Sequence, residues 1–106
     1  MKTLIPAAVA TLAFIAGPVL AGDAEAGKKK AAEACAACHG PDGNSPTPDF
    51  PRIAGQYEDY LAKALADYKS GKRENPIMQG MAAPLSNTEI ADLAAYFSRQ
   101  KGLVVR

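Results

Sequence analysis

The stretch "EACAACHGPDG", residues 33–43, places both cysteines and the only histidine of the chain between Cys35 and His39. Any fold for this sequence must therefore serve two thiols and an imidazole fixed on one short segment. A structural zinc site closes with four protein ligands, and the chain offers no third cysteine and no second histidine. A thioredoxin-like dithiol sits at the start of a helix that follows a strand, whereas here the pair lies toward the end of an expected helix with no strand ahead of it. A plain disulfide between Cys35 and Cys38 would close a very small loop and leave His39 without a role.

The chain has 106 residues, enough for one domain. Its first 21 residues carry Lys2, no charge from Leu4 to Ala21, and short side chains at Val19 and Ala21, which predicts a signal peptide over 1–21 and a mature domain over 22–106. An uncleaved membrane anchor is the alternative, but the apolar run is at the short limit for spanning and is broken by Pro6 and Pro18. Without Lys2 the twelve Lys and Arg come to parity with the eleven Asp and Glu, so nothing recommends a nucleic-acid partner. A mature domain this small rarely buries enough apolar surface to be stable without help, and small exported domains commonly gain it from a disulfide, a metal or a bound group.

The fold class expected is all-α, with three main helices and two loops. Asp23 caps a helix running through "AEAGKKKAAEACAACH", with the small residues Ala24, Gly27, Ala31 and Ala34 on one face and Lys28, Lys29 and Lys30 pointing largely away. From Gly40 to Gly55 the prolines predict an irregular loop ordered by fixed backbone angles rather than by hydrogen bonds. Tyr57, Tyr60, Leu61, Ala64, Leu65 and Tyr68 recur at helical spacing up to a stop at Gly71. Lys72 to Leu85 lacks a sustained period and reads as a second, unusually apolar loop. Ser86 and Glu89 form a capping box for a last helix with Ile90, Leu93, Ala94 and Phe97 inward, ending near Gly102.

The reading of "CAACH" that remains is a c-type haem attachment site. Two thiols on adjacent helical turns add to the vinyl groups of one porphyrin edge, and the imidazole that follows lies under the iron. The mature chain resembles a class I c-type cytochrome, and one half of the bacterial diheme cytochromes of the c4 type in particular. The likeness is carried by "GDAEAGKKKAAEACAACHGPDGNSPTPDFPRIAGQ", "YLAKALADYKSGKREN" and "MQGMAAPLSNTEIADLAAYFSRQKG". It departs from the c4 type in that this sequence carries one haem motif.

The resemblance implies one covalent haem c on Cys35 and Cys38, with His39 as an axial ligand of the iron. With His39 the only histidine, the sixth position falls to methionine, a weaker ligand, water or nothing. Met1 leaves with the signal segment, so Met78 and Met81 are the available thioethers. The family's pattern of a methionine, a polar residue and glycine ahead of the last helix fits "MQG" and favours Met78, with Met81 the alternative. The family also implies a loop proline carbonyl that accepts from the ligating imidazole, matched best by Pro48 and next by Pro46, and a close crossing of Gly27 with Tyr96. Phe50, Ile53, Leu61, Leu65, Leu93 and Phe97 are expected to line the haem pocket, and Arg52, Arg73 and Tyr57 to pair with the propionates.

The function implied is that of a periplasmic one-electron carrier rather than an enzyme. Its iron would cycle between Fe(II) and Fe(III) at a fairly high potential, with transient redox-protein partners as donor and acceptor and no stable membrane insertion. Lys69, Lys72 and Arg73 would bias docking toward acidic partners, although a solvated helix end accounts for them better, given the neutral net charge of the mature chain. The alternative is a haem enzyme or gas sensor with a labile sixth ligand, against which stands the lack of a distal histidine. A colourless, disulfide-bonded interaction domain is a third reading.

Overall fold

In a computed structural model, residues 22–103 are described; the predicted signal segment lies outside them. Five helices follow in chain order: α1 (Ala24–Ala34), α2 (Ala36–His39), α3 (Glu58–Ser70), α4 (Pro76–Ala82) and α5 (Asn87–Ser98). No strand occurs among the described residues, so the class is all-α as expected.

Asp23 caps α1 as predicted, its carboxylate accepting from the backbone N–H groups of Glu25 at 2.9 Å and Ala26 at 3.3 Å. The helix does not run unbroken to His39. At Cys35 the backbone opens to φ −118°, α2 starts afresh, and the N–H groups of both Cys38 and His39 converge on the Cys35 carbonyl. Gly40, at φ 82°, then ends the segment.

The region from Lys72 to Leu85 is not the loop that was expected, because it contains α4. Pro76 stands in its first turn, where a missing N–H costs nothing, and Asn75 caps it by accepting from Ile77 and Met78. Seven residues are too few for a periodic signal to emerge, which is why the pattern alone did not reveal this helix.

In α5 the capping box is complete, with Ser86 Oγ accepting from the Glu89 N–H at 3.0 Å and Glu89 Oε1 from the Ser86 N–H at 2.9 Å. This helix stops at Ser98, short of Gly102. Gly102 instead packs on the 40–55 loop, where an added Cβ would lie 2.7 Å from Ala54 Cβ and from Asn44 Oδ1.

That loop is held by hydrogen bonds, contrary to the proline-only expectation. The N–H groups of Ile53 and Ala54 donate to Gly43 O, Gly55 N–H donates to Phe97 O, and Asn44 Nδ2 donates to Lys101 O at 2.7 Å. Glycines at positions 40, 43 and 55 supply the positive φ that lets the chain fold back and make these bonds.

α1 and α5 cross in close contact over Gly27 and Ala31, and α3 packs on α5 from another side while α4 packs on α3. Leu61, Leu85, Ile90, Leu93, Tyr96 and Phe97 form the body of the core. Leu93 is the one large side chain that is fully buried among the described residues, so the core is thin.

Candidate functional site

A cavity of about 230 Å³ opens between the Cys35 turn, the loop at 51–53, α3, α4 and α5. Its walls are apolar: Ile53 from the loop, Leu61 and Leu65 from α3, and Leu93 and Phe97 from α5. Cys35 and His39 face it from one side, and Met78 lines it from α4. Two segments far apart in sequence, the Cys35–His39 stretch and α4, thus supply a thiol, an imidazole and a thioether to one apolar space. Cys38 is half-buried on α2, and neither thiol is engaged in a disulfide.

His39 is buried, and its Nδ1 lies 2.9 Å from the carbonyl oxygen of Pro51. A carbonyl only accepts, so Nδ1 carries the proton, which leaves Nε2 as the nitrogen free to serve as a ligand. The acceptor is Pro51 rather than Pro48 or Pro46. Pro48 is exposed, and together with Phe50 it lines a separate, more open depression on the loop. The resemblance favours Pro48 and then Pro46; the bonds that tie Ile53 and Ala54 to Gly43 instead select Pro51 by bringing the 51–53 segment back toward His39.

Burial pushes the Cys35 thiol up to about 11, with Lys30 opposing the shift. Among the described residues, no three His, Cys, Asp or Glu side chains gather into a metal-holding cluster.

The polar mouth of the cavity is formed by Arg52, Gln56, Tyr60, Tyr68 and Arg73. Arg73 donates to the Tyr60 hydroxyl at 3.3 Å and lies 4.9 Å over the Tyr68 ring, a cation–π distance. Tyr57 was expected here but is exposed and does not line the cavity; it precedes α3 as its N-cap, so the helical period does not set its direction. Tyr60, one turn before Ala64, is the residue the period does place. Met81, exposed and outside the lining, stands away from the cavity that Met78 enters. Of the expected docking cluster, Lys69 donates to the Leu85 carbonyl and Arg73 is held by Tyr60, so both serve intramolecular contacts.

The donor set fits a haem bound through thioethers. The cavity is apolar enough to exclude water from the iron, His39 presents Nε2, and cationic and hydroxyl groups at the mouth suit two carboxylates.

Residues 24–101 match the cytochrome c family. The chain is 50% identical over 101 residues to cytochrome c4 of Pseudomonas aeruginosa, an alignment covering 95% of this chain and 50% of that protein. It is 43% identical over 84 residues to cytochrome c-554(548) of Halomonas halodenitrificans, covering 76% of this chain and all of that protein. The crystal structure of reduced recombinant cytochrome c4 from Pseudomonas stutzeri superposes with a TM-score of 0.72 at 54% identity, over 79% of this chain and 48% of that one. The chain spans about half the length of the cytochrome c4 relatives it matches.

Proposed function

This chain belongs to the cytochrome c family, whose covalently bound haem c its Cys35, Cys38 and His39 fit, and on that premise we propose that it is a periplasmic one-electron carrier with His39 and Met78 as axial ligands of the iron. The observation that carries the proposal is the placing of His39 and Met78 on the walls of one apolar cavity, with the imidazole already oriented by Pro51.

When bound, haem c supplies a single iron that stores and releases one electron. The protein's part is to keep that site closed and stiff. His39 is fixed by a hydrogen bond from Nδ1, which sets its tautomer and makes Nε2 a better donor. The Met78 thioether is a soft ligand that favours the ferrous state, and the apolar walls disfavour the extra charge of the ferric state, so both raise the reduction potential. Arg52 and Arg73 at the mouth would pair with the propionates. Arg52 and Arg73 are the only charged side chains in the lining, and it holds no carboxylate and no second histidine, which supports electron carriage over acid–base catalysis. Donor and acceptor proteins would meet the mouth in small, transient complexes.

The test is the oxidised visible spectrum of the protein recovered from the periplasm, where its N-terminus is expected at Gly22. The weak far-red band of sulfur on ferric haem should be present, should vanish in Met78→Ala together with a fall in potential, and should survive Met81→Ala. A band that survives Met78→Ala and is lost in Met81→Ala would overturn the ligand assignment, and recovery with the membranes would overturn cleavage of the signal segment.

A further inference from the structure

The segment that presents Met78 is a helix of seven residues, too short to hold itself by propagation. Its first turn is fastened by one side chain. Asn75 Oδ1 accepts from the backbone N–H groups of Ile77 and Met78, each at 3.1 Å. In return the Asn75 N–H donates to Gln79 Oε1 at 3.3 Å. One of the two bonds that Asn75 Oδ1 accepts is therefore made by Met78, the residue of α4 that lines the cavity. Pro76, between Asn75 and Ile77, brings no N–H of its own to that turn.

We infer that Asn75 is a positioning residue for the sixth ligand, setting how large a fraction of molecules has the Met78 thioether in place. The inference rests on the Met78 assignment of the preceding section. When Asn75 Oδ1 is removed, the N–H groups of Ile77 and Met78 lose their acceptor and the turn frays at the ligand itself. An outside ligand then binds more tightly, because its apparent affinity scales with the fraction of protein already open to it.

The probe is imidazole titrated into the ferric holoprotein, read by loss of the far-red band. Loss of a helix N-cap is generally worth about a five-fold change in such an equilibrium, so Asn75→Ala should bind imidazole about five-fold more tightly than the wild type. Asn75→Asp, which caps equally well, should stay within about two-fold of the wild type. Ser86→Ala supplies the control, since it removes the cap of α5, away from the ligand turn. It should lower the melting temperature without moving the imidazole affinity.

Unchanged affinity in Asn75→Ala overturns the inference. So does an equal rise in Ser86→Ala, which would mean general loosening. If Asn75→Ala is not recovered with haem, Gln79→Ala removes the reciprocal bond alone and must shift the affinity in the same direction, or the inference fails. A wild type without the far-red band overturns the ligand assignment and this inference together. A wild-type band with unmoved variants overturns this inference alone.

Discussion

Gly27 sets the distance between two helices. A Cβ built there would lie 2.0 Å from the Asp92 carbonyl oxygen and 2.9 Å from Tyr96 Cβ. The obstacle is backbone, which cannot rotate aside, so even Gly27→Ala forces α1 and α5 apart. The expected cost is at the upper end of overpacking, about 3 kcal/mol, or roughly 10–20 °C in a domain of this size. Thermal melting of the holoprotein checks it, and a variant that melts like the wild type would remove the crossing as the reason for this glycine. The contact with Tyr96 was legible from the family resemblance. Pro51 was not, because any proline carbonyl in the loop satisfies the same local chemistry and only the path of the backbone chooses among them.

At the scale of elements, α1 and α5 are joined by charge as well as by close packing. Lys30 Nζ lies 3.1 Å from Glu89 Oε2, and Glu89 also completes the α5 capping box. The Ser86 backbone N–H, and then Lys30, hold the Glu89 carboxyl below its usual value of 4.5. A carboxyl whose folded value is lowered contributes stability that is present above its unfolded value and is lost as pH falls through the folded one. Glu89→Gln should therefore melt below the wild type at neutral pH, with the gap closing as pH drops below about 4.5. Melting curves collected across that range would show it, and a gap independent of pH would mean that charge is not what Glu89 contributes. The three long helices and both caps of α1 and α5 were readable from period and capping residues. The break at Cys35 and the short α4 were not, since each is decided over a few residues by bonds to particular carbonyls.

For the whole molecule, the apolar cavity and the thin core are two sides of one fact. α3, α4 and α5 pack together around a space that all three line, and Leu93 is the one large side chain fully buried among the described residues. Covalent haem c completes that interior and ties it to the Cys35 turn. A Cys35→Ala, Cys38→Ala double variant should then lose most of its far-UV helical signal at 25 °C, the behaviour of a small domain deprived of its staple. Retention of the wild-type signal and melt would show that the protein part folds unaided. No helix among the described residues is long and apolar enough to cross a membrane.

The spacing of Cys35, Cys38 and His39, the single histidine and the helical periods were enough to give the class of fold and the cofactor, because each is a matter of residue type and local repeat; the family came from the resemblance of whole segments. Tertiary structure decided which proline orients His39, which tyrosine stands at the cavity mouth and which methionine faces the cavity. Those choices depend on where separate segments meet in space; of Met78 and Met81, three residues apart on one short helix, the turn puts on the cavity wall the one that the family pattern already favours and leaves the other exposed.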